Sequence, residues 1–247
     1  MNEIEIYEYE KVDLTNAFVV CGFPTVGLVG SIASRFIVYN LKLRLHAAFL
    51  SDYFPPVTIV SNSNPLPPVR IYAGEKKCGP DKKCEQLVVI VSEFSPPLQM
   101  LRPLANKMIE WCKENNCDIL LCMEGFNIEN EESHLIGVAS TEKTNKLLEK
   151  YNVRIMEEGM VSGLSGILLY EGKRRNFDVA CLLAGVHSTY PDAKAAGRIL
   201  EVVNKMLPEI EIDPEPLYRE AEEIEKQIKE QMKKAEPKTK EAQIMYR

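Results

Sequence analysis

Four stretches of the chain are apolar at nearly every position: residues 17–21, 86–91, 118–123 and 178–184. Unbroken rather than alternating hydrophobicity predicts strands covered on both faces. Between these runs the apolar positions change period. Leu28, Val29, Ile32, Phe36 and Ile37 recur at helical spacing up to Leu41. After Pro96-Pro97, which suits a first helical turn, Leu98, Leu101, Leu104, Met108, Ile109 and Trp111 do the same, with Pro103 a point for a kink. A charged helix is expected from Thr141 to Tyr151, and another from the N-cap candidate Asp192 to Met206, with Ala193, Ala195, Ala196 and Gly197 as a small-residue face. Shorter strands are expected at Leu45 to Leu50, Val57 to Ser61, Val69 to Ala73 and His134 to Ala139, and Asn62 to Pro68, with three prolines, as a loop. Strands alternating with helices predict an α/β fold: a three-layer α/β/α sandwich with a mixed, largely parallel sheet.

Beyond Pro208 the pattern shifts again. Asp213-Pro214-Glu215-Pro216 is expected to be a stiff linker. Leu217, Ala221, Ile224, Ile228 and Met232 then form a narrow apolar stripe among Glu and Lys, the mark of an amphipathic helix. Such a stripe packs on its own domain or on a neighbouring subunit, so these five positions are oligomerisation candidates. Pro237 ends the helix, and a flexible tail is expected to follow, finishing Ile244-Met245-Tyr246-Arg247. The chain thus divides into an α/β domain over 1–210, a linker and charged helix over 211–236, and a tail over 237–247.

Composition adds exclusions. With 247 residues, 45% of them hydrophobic and 27% charged, the chain can fill a substantial core. A formal charge of −6 argues against general nucleic-acid binding. No apolar run is long enough for a membrane span, and the acidic start Met1-Asn2-Glu3-Ile4-Glu5 does not resemble a signal peptide, so a cytoplasmic protein is expected. Of the seven cysteines, Cys21, Cys122 and Cys181 fall in strand-like runs as small buried hydrophobes, and Cys112 and Cys117 flank a helix end. Cys78 and Cys84 lie in a lysine-rich loop. The Gly79-Pro80 turn can bring these thiols together at a hairpin tip, so a loop disulfide stands beside two free thiols as a reading. Neither their spacing nor any His/Cys cluster points to a metal.

The chemistry-bearing positions gather at the carboxyl ends of the apolar strands, where open α/β sheets bind ligands. There stand Gly22-Phe23-Pro24 with Gly27 and Gly30, then Glu93, Glu124 and His187. The glycine spacing is neither a phosphate-cradling P-loop nor a dinucleotide fingerprint, which leaves close packing or the lining of a ligand crevice. Two carboxylates and an imidazole in one crevice would suit acid–base chemistry of a phosphorylase or ligase type, although each can equally serve as a cap or turn partner. Ser162-Gly163-Leu164-Ser165-Gly166 does not frame a hydrolase nucleophile. No complete catalytic motif and no cofactor motif is present.

Gly22-Phe23-Pro24 followed by Gly27-Leu28-Val29-Gly30 resembles the opening motif of the PAC2 family, the proteasome assembly chaperone 2-like proteins, in their archaeal form. The resemblance extends over about residues 14–210. The final Met245-Tyr246-Arg247 is similar to the hydrophobic-Tyr-any ending with which proteasome activators and assembly factors dock between α-subunits of the core ring. The resemblance implies an ATP-independent assembly chaperone or activator, homo-oligomeric, with proteasome α-subunits as partners and those three residues as the contact. A carboxylate-ended tail makes physical sense as a ligand: the terminal anion can pair with a lysine, Tyr246 offers an apolar body with a polar tip, and Met245 adds adaptable contact. A ten-residue leash reaches about 30 Å when extended. The alternative is a small-molecule binder or enzyme at the strand-end crevice.

Overall fold

The computed structural model describes residues 4–79, 84–127, 135–186 and 191–219. In chain order it contains β1 (Glu5–Glu8), β2 (Phe18–Gly22), a short 3-10 turn (Val26–Leu28), α1 (Val29–Asn40) and β3 (Arg44–Leu50). A hairpin follows, β4 (Ile59–Ser61) with β5 (Asn64–Leu66), then β6 (Val69–Ala73). A second small hairpin, β7 (Lys77–Cys78) with β8 (Cys84–Glu85), precedes β9 (Leu87–Ser92) and α2 (Leu98–Glu114). The remainder runs β10 (Ile119–Asn127), β11 (Leu135–Ala139), α3 (Glu142–Lys150), β12 (Arg154–Ile155), α4 (Gly163–Arg175), β13 (Val179–Val186) and α5 (Ala193–Met206).

One sheet of nine strands, in the order β1-β3-β6-β9-β2-β10-β13-β11-β12, carries the fold. Its centre, β9, β2, β10 and β13, is parallel, and these are the four unbroken apolar runs. Antiparallel neighbours extend the sheet on both sides: β6, β3 and β1 beyond β9, and β11 beyond β13. The side-chain period of two then sorts each central strand onto two faces. Val19 and Cys21 join the layer under α2 and α4, while Phe18 and Val20 join the layer under α1 and α5. Helices on both faces of a mixed sheet make the expected three-layer α/β fold. Glu171 of α4, almost wholly buried, ties the outer helices together by accepting from Arg102 of α2 and from Arg174 and Arg175 of its own helix. The α5 N-cap is Asp192, whose carboxylate accepts from the Ala195 amide, as expected.

Three local expectations are corrected. Asn62 to Pro68 is not all loop: Asn64–Leu66 pairs with β4 across a tight turn in which Asn62 and Ser63 both have positive φ. Their left-handed conformation matches strand twist, and a two-stranded ribbon tolerates Pro65 because part of its N–H edge is unpaired. Glu5–Glu8, given no structure from its sequence, forms the edge strand. The linker is not extended throughout, since residues 215–219 are helical, with Asp213 accepting from the Glu215 amide and Pro216 in the first turn.

Candidate functional site

The glycine segment holds backbone against backbone. A Cβ on Gly22 would lie 2.0 Å from the Gly30 carbonyl oxygen, and one on Gly30 would lie 2.1 Å from that of Met123. The start of α1 therefore presses directly on the end of β2 and the middle of β10, and space that excludes a methyl group also excludes a ligand. Gly27 adopts φ 62° to turn the chain into α1, beside the Val186 side chain. Phe23 faces the other way, into the α2/α4 layer, and the Pro24 carbonyl accepts from Ser95 Oγ at 2.8 Å.

Glu93, just past β9, follows Val91 onto the α1 face. It accepts from Arg70 Nη2 of β6, whose side chain is only 4% exposed. The same guanidinium donates to Tyr72 Oη at 3.0 Å and to the Pro67 carbonyl at 2.8 Å. Buried charge persists when paired and hydrogen-bonded in this way, but the second Glu93 oxygen is buried without a donor among the described residues.

Glu124 lies on the opposite face. It follows Cys122 into the α2/α4 layer, where Ser165 Oγ of α4 donates to it. Burial pushes its carboxyl above the usual 4.5, and the serine bond opposes that rise. Beneath it Cys21, Cys122 and Cys181 stand in register across β2, β10 and β13. The Cys21 thiol is pushed up by its bond to Cys122 and by burial, and the Cys181 thiol by burial. The sheet thus separates Glu93 from Glu124, and the described members of the expected crevice do not converge on one cavity. His187 lies outside the described residues. No group of three or more metal-ligating side chains occurs among the described residues, and none of their helices is long and apolar enough to cross a membrane.

Comparison with known proteins decides the family. The PAC2 family model matches residues 19–232. The chain belongs to the PAC2 family. Its backbone is similar to the crystal structure of Pyrococcus furiosus PbaA, an archaeal homologue of proteasome-assembly chaperone, with TM-score 0.81, 30% identity and 94% of each chain covered. It is also similar to Pyrococcus furiosus PbaB, an archaeal proteasome activator, with TM-score 0.79 and 25% identity, covering 93% of this chain and 99% of that one. Among curated sequences, the uncharacterized protein MJ0106 of Methanocaldococcus jannaschii is 30% identical over 230 residues, which are 93% of this chain and 91% of the relative.

In this PAC2 protein residues 215–219, where the C-terminal helix is expected to begin, are docked on the α/β domain. Leu217 is 4% exposed in the α1/α5 layer, and Tyr218 lies against Gly197, donating to Glu201 at 2.5 Å. Gly197 of the small-residue face is where that ring fits. The other stripe positions, Ala221, Ile224, Ile228 and Met232, lie outside the described residues, as do Met245, Tyr246 and Arg247. Cys78 stands opposite Cys84 in the β7–β8 register, the cross-strand placement a disulfide between them needs; the Cys84 side chain lies outside the described part. Sequence reasoning missed Arg70 and Tyr72. The available signal was a charged residue and a tyrosine two apart in an otherwise apolar strand, which puts both on one face.

Proposed function

We propose that this protein is a proteasome assembly-chaperone-like or activator-like factor that works without ATP in the cytoplasm. Its α/β bodies form a homo-oligomeric platform. Its C-terminal tails dock on proteasome α-subunits through Met245, Tyr246 and the carboxylate of Arg247. The observation that carries the reading is the hydrophobic-Tyr-any ending joined to a body similar to PbaA. Residues 215–219, which lead towards the tail, are held on α5 through Leu217 and Tyr218. Several tails on one platform raise the effective concentration of a ligand that binds weakly alone. The stripe continuing from Leu217 is proposed as the seam between subunits. The enzyme reading gains no support from Glu93 and Glu124, which face away from each other.

The test is deletion of Met245–Arg247. The expected result is loss of binding to purified archaeal α-rings in a pull-down at moderate salt, with the native mass of the assembly unchanged. Binding that survives the deletion removes the docking proposal.

A further inference from the structure

Between α1 and the β4–β5 hairpin lies a cavity of about 430 Å³ that the docking function does not use. Its size falls among ordinary small-molecule sites, which span roughly 300–1,000 Å³. The charged side chains lining it are Arg35, Lys42, Arg70 and Glu93, three cations against one carboxylate in a chain of net charge −6. Arg70 is committed to Glu93, Tyr72 and Pro67, so its charge is met inside the fold. Arg35 and Lys42 are exposed at the rim, and among the described residues neither has a carboxylate partner. Val38, Leu43, Leu66 and Val91 supply apolar wall between rim and floor. At the floor, the second Glu93 oxygen has no donor among the described residues. Two aromatic rings line the space: Tyr72, whose oxygen accepts from Arg70, and Tyr39, whose hydroxyl lies 3.5 Å from Ser61 Oγ of the hairpin.

We propose that this cavity binds a small organic anion with a planar or apolar middle and an N–H or O–H donor at its inner end. The anion sits at Arg35 and Lys42, and the donor satisfies Glu93. A mononucleotide and a short peptide with a free carboxylate share that chemistry.

Calorimetric titration of the full chain with adenosine 5′-monophosphate and with glycyl-tyrosine distinguishes the two sources. At least one is expected to bind with submillimolar Kd. Adenosine alone and inorganic phosphate alone, each lacking one end, are expected to bind at least tenfold more weakly. The exposed-rim double variant Arg35→Gln/Lys42→Gln should weaken the bound probe about tenfold, since a hydrogen bond to a charged group contributes roughly that factor. Glu93→Gln keeps an acceptor for Arg70 and should weaken binding from the other end; if that variant does not fold, the rim variant decides. Absence of binding by both two-ended probes, or an unchanged Kd in the rim variant, overturns the proposal.

Discussion

His46 is 2% exposed on β3, and among the described residues neither of its ring nitrogens has a well-formed hydrogen bond. Its ring lies 6.2 Å from that of Trp111. Burial holds its pKa below the usual 6.5, and the nearby charges of Glu8 and Glu10 only partly offset this. The folded chain therefore binds fewer protons than the unfolded chain as pH falls through 6.5 toward the depressed folded value. Stability present above that window is lost within it. His46→Leu is expected to flatten this acid limb, seen as a smaller fall in the urea midpoint between neutral and mildly acidic pH. An unchanged slope would show that the histidine titrates freely in the fold. Glu124 has the opposite sign. Its raised carboxyl pKa makes stability fall as pH climbs above the usual glutamate value. Neither shift was legible in the sequence, where His46 and Glu124 are polar residues beside apolar ones. Burial on a particular face is what moves them.

At the scale of elements, the β2–α1 junction depends on missing side chains. Gly30→Ala gains up to about 1 kcal/mol of helix propensity. The same change drives a methyl group to 2.1 Å from the Met123 carbonyl, a backbone atom that cannot swing aside. Overpacking of this kind costs roughly 1–3 kcal/mol, so the net effect is expected to be destabilising. Thermal denaturation checks the direction, and a Tm at or above that of the parent would show that α1 can move off the sheet. The apolar runs at β2, β9, β10 and β13 made the parallel centre legible because continuous burial leaves no polar face to confuse the period. The hairpin Ile59–Ser61/Asn64–Leu66 was hidden by Pro65, Pro67 and Pro68. Its strands hold together through a two-residue turn and the pocket wall, neither of which appears in composition. β1 was hidden because four residues, none of them buried, carry little periodic signal.

For the whole molecule, the docked root of the tail matters more than its charge pattern. Leu217 and Tyr218 hold residues 215–219 on the domain, so in the proposed platform each subunit would start its C-terminal segment from an equivalent place. Multivalent docking requires more than one chain per particle, and the native mass is therefore expected to be a multiple of 28.0 kDa. Light scattering coupled to size exclusion reads this directly. A mass of one chain would leave each tail to bind alone and would remove the platform from the proposal.

By itself the sequence determined the alternation of buried strands and helices, the glycine-dependent turn into α1, and the family motif, because each is encoded by neighbours a few residues apart. Which face each strand residue takes was decided only by the tertiary structure. The period of two assigns residues to two sides, but only the packed helices say what covers each side. For that reason Glu93 and Glu124, alike as carboxylates beyond strand ends, part company across the sheet. Arg70, in a strand that reads as core, meets Glu93 at the floor of a cavity that exists because β4 and β5 fold back toward α1.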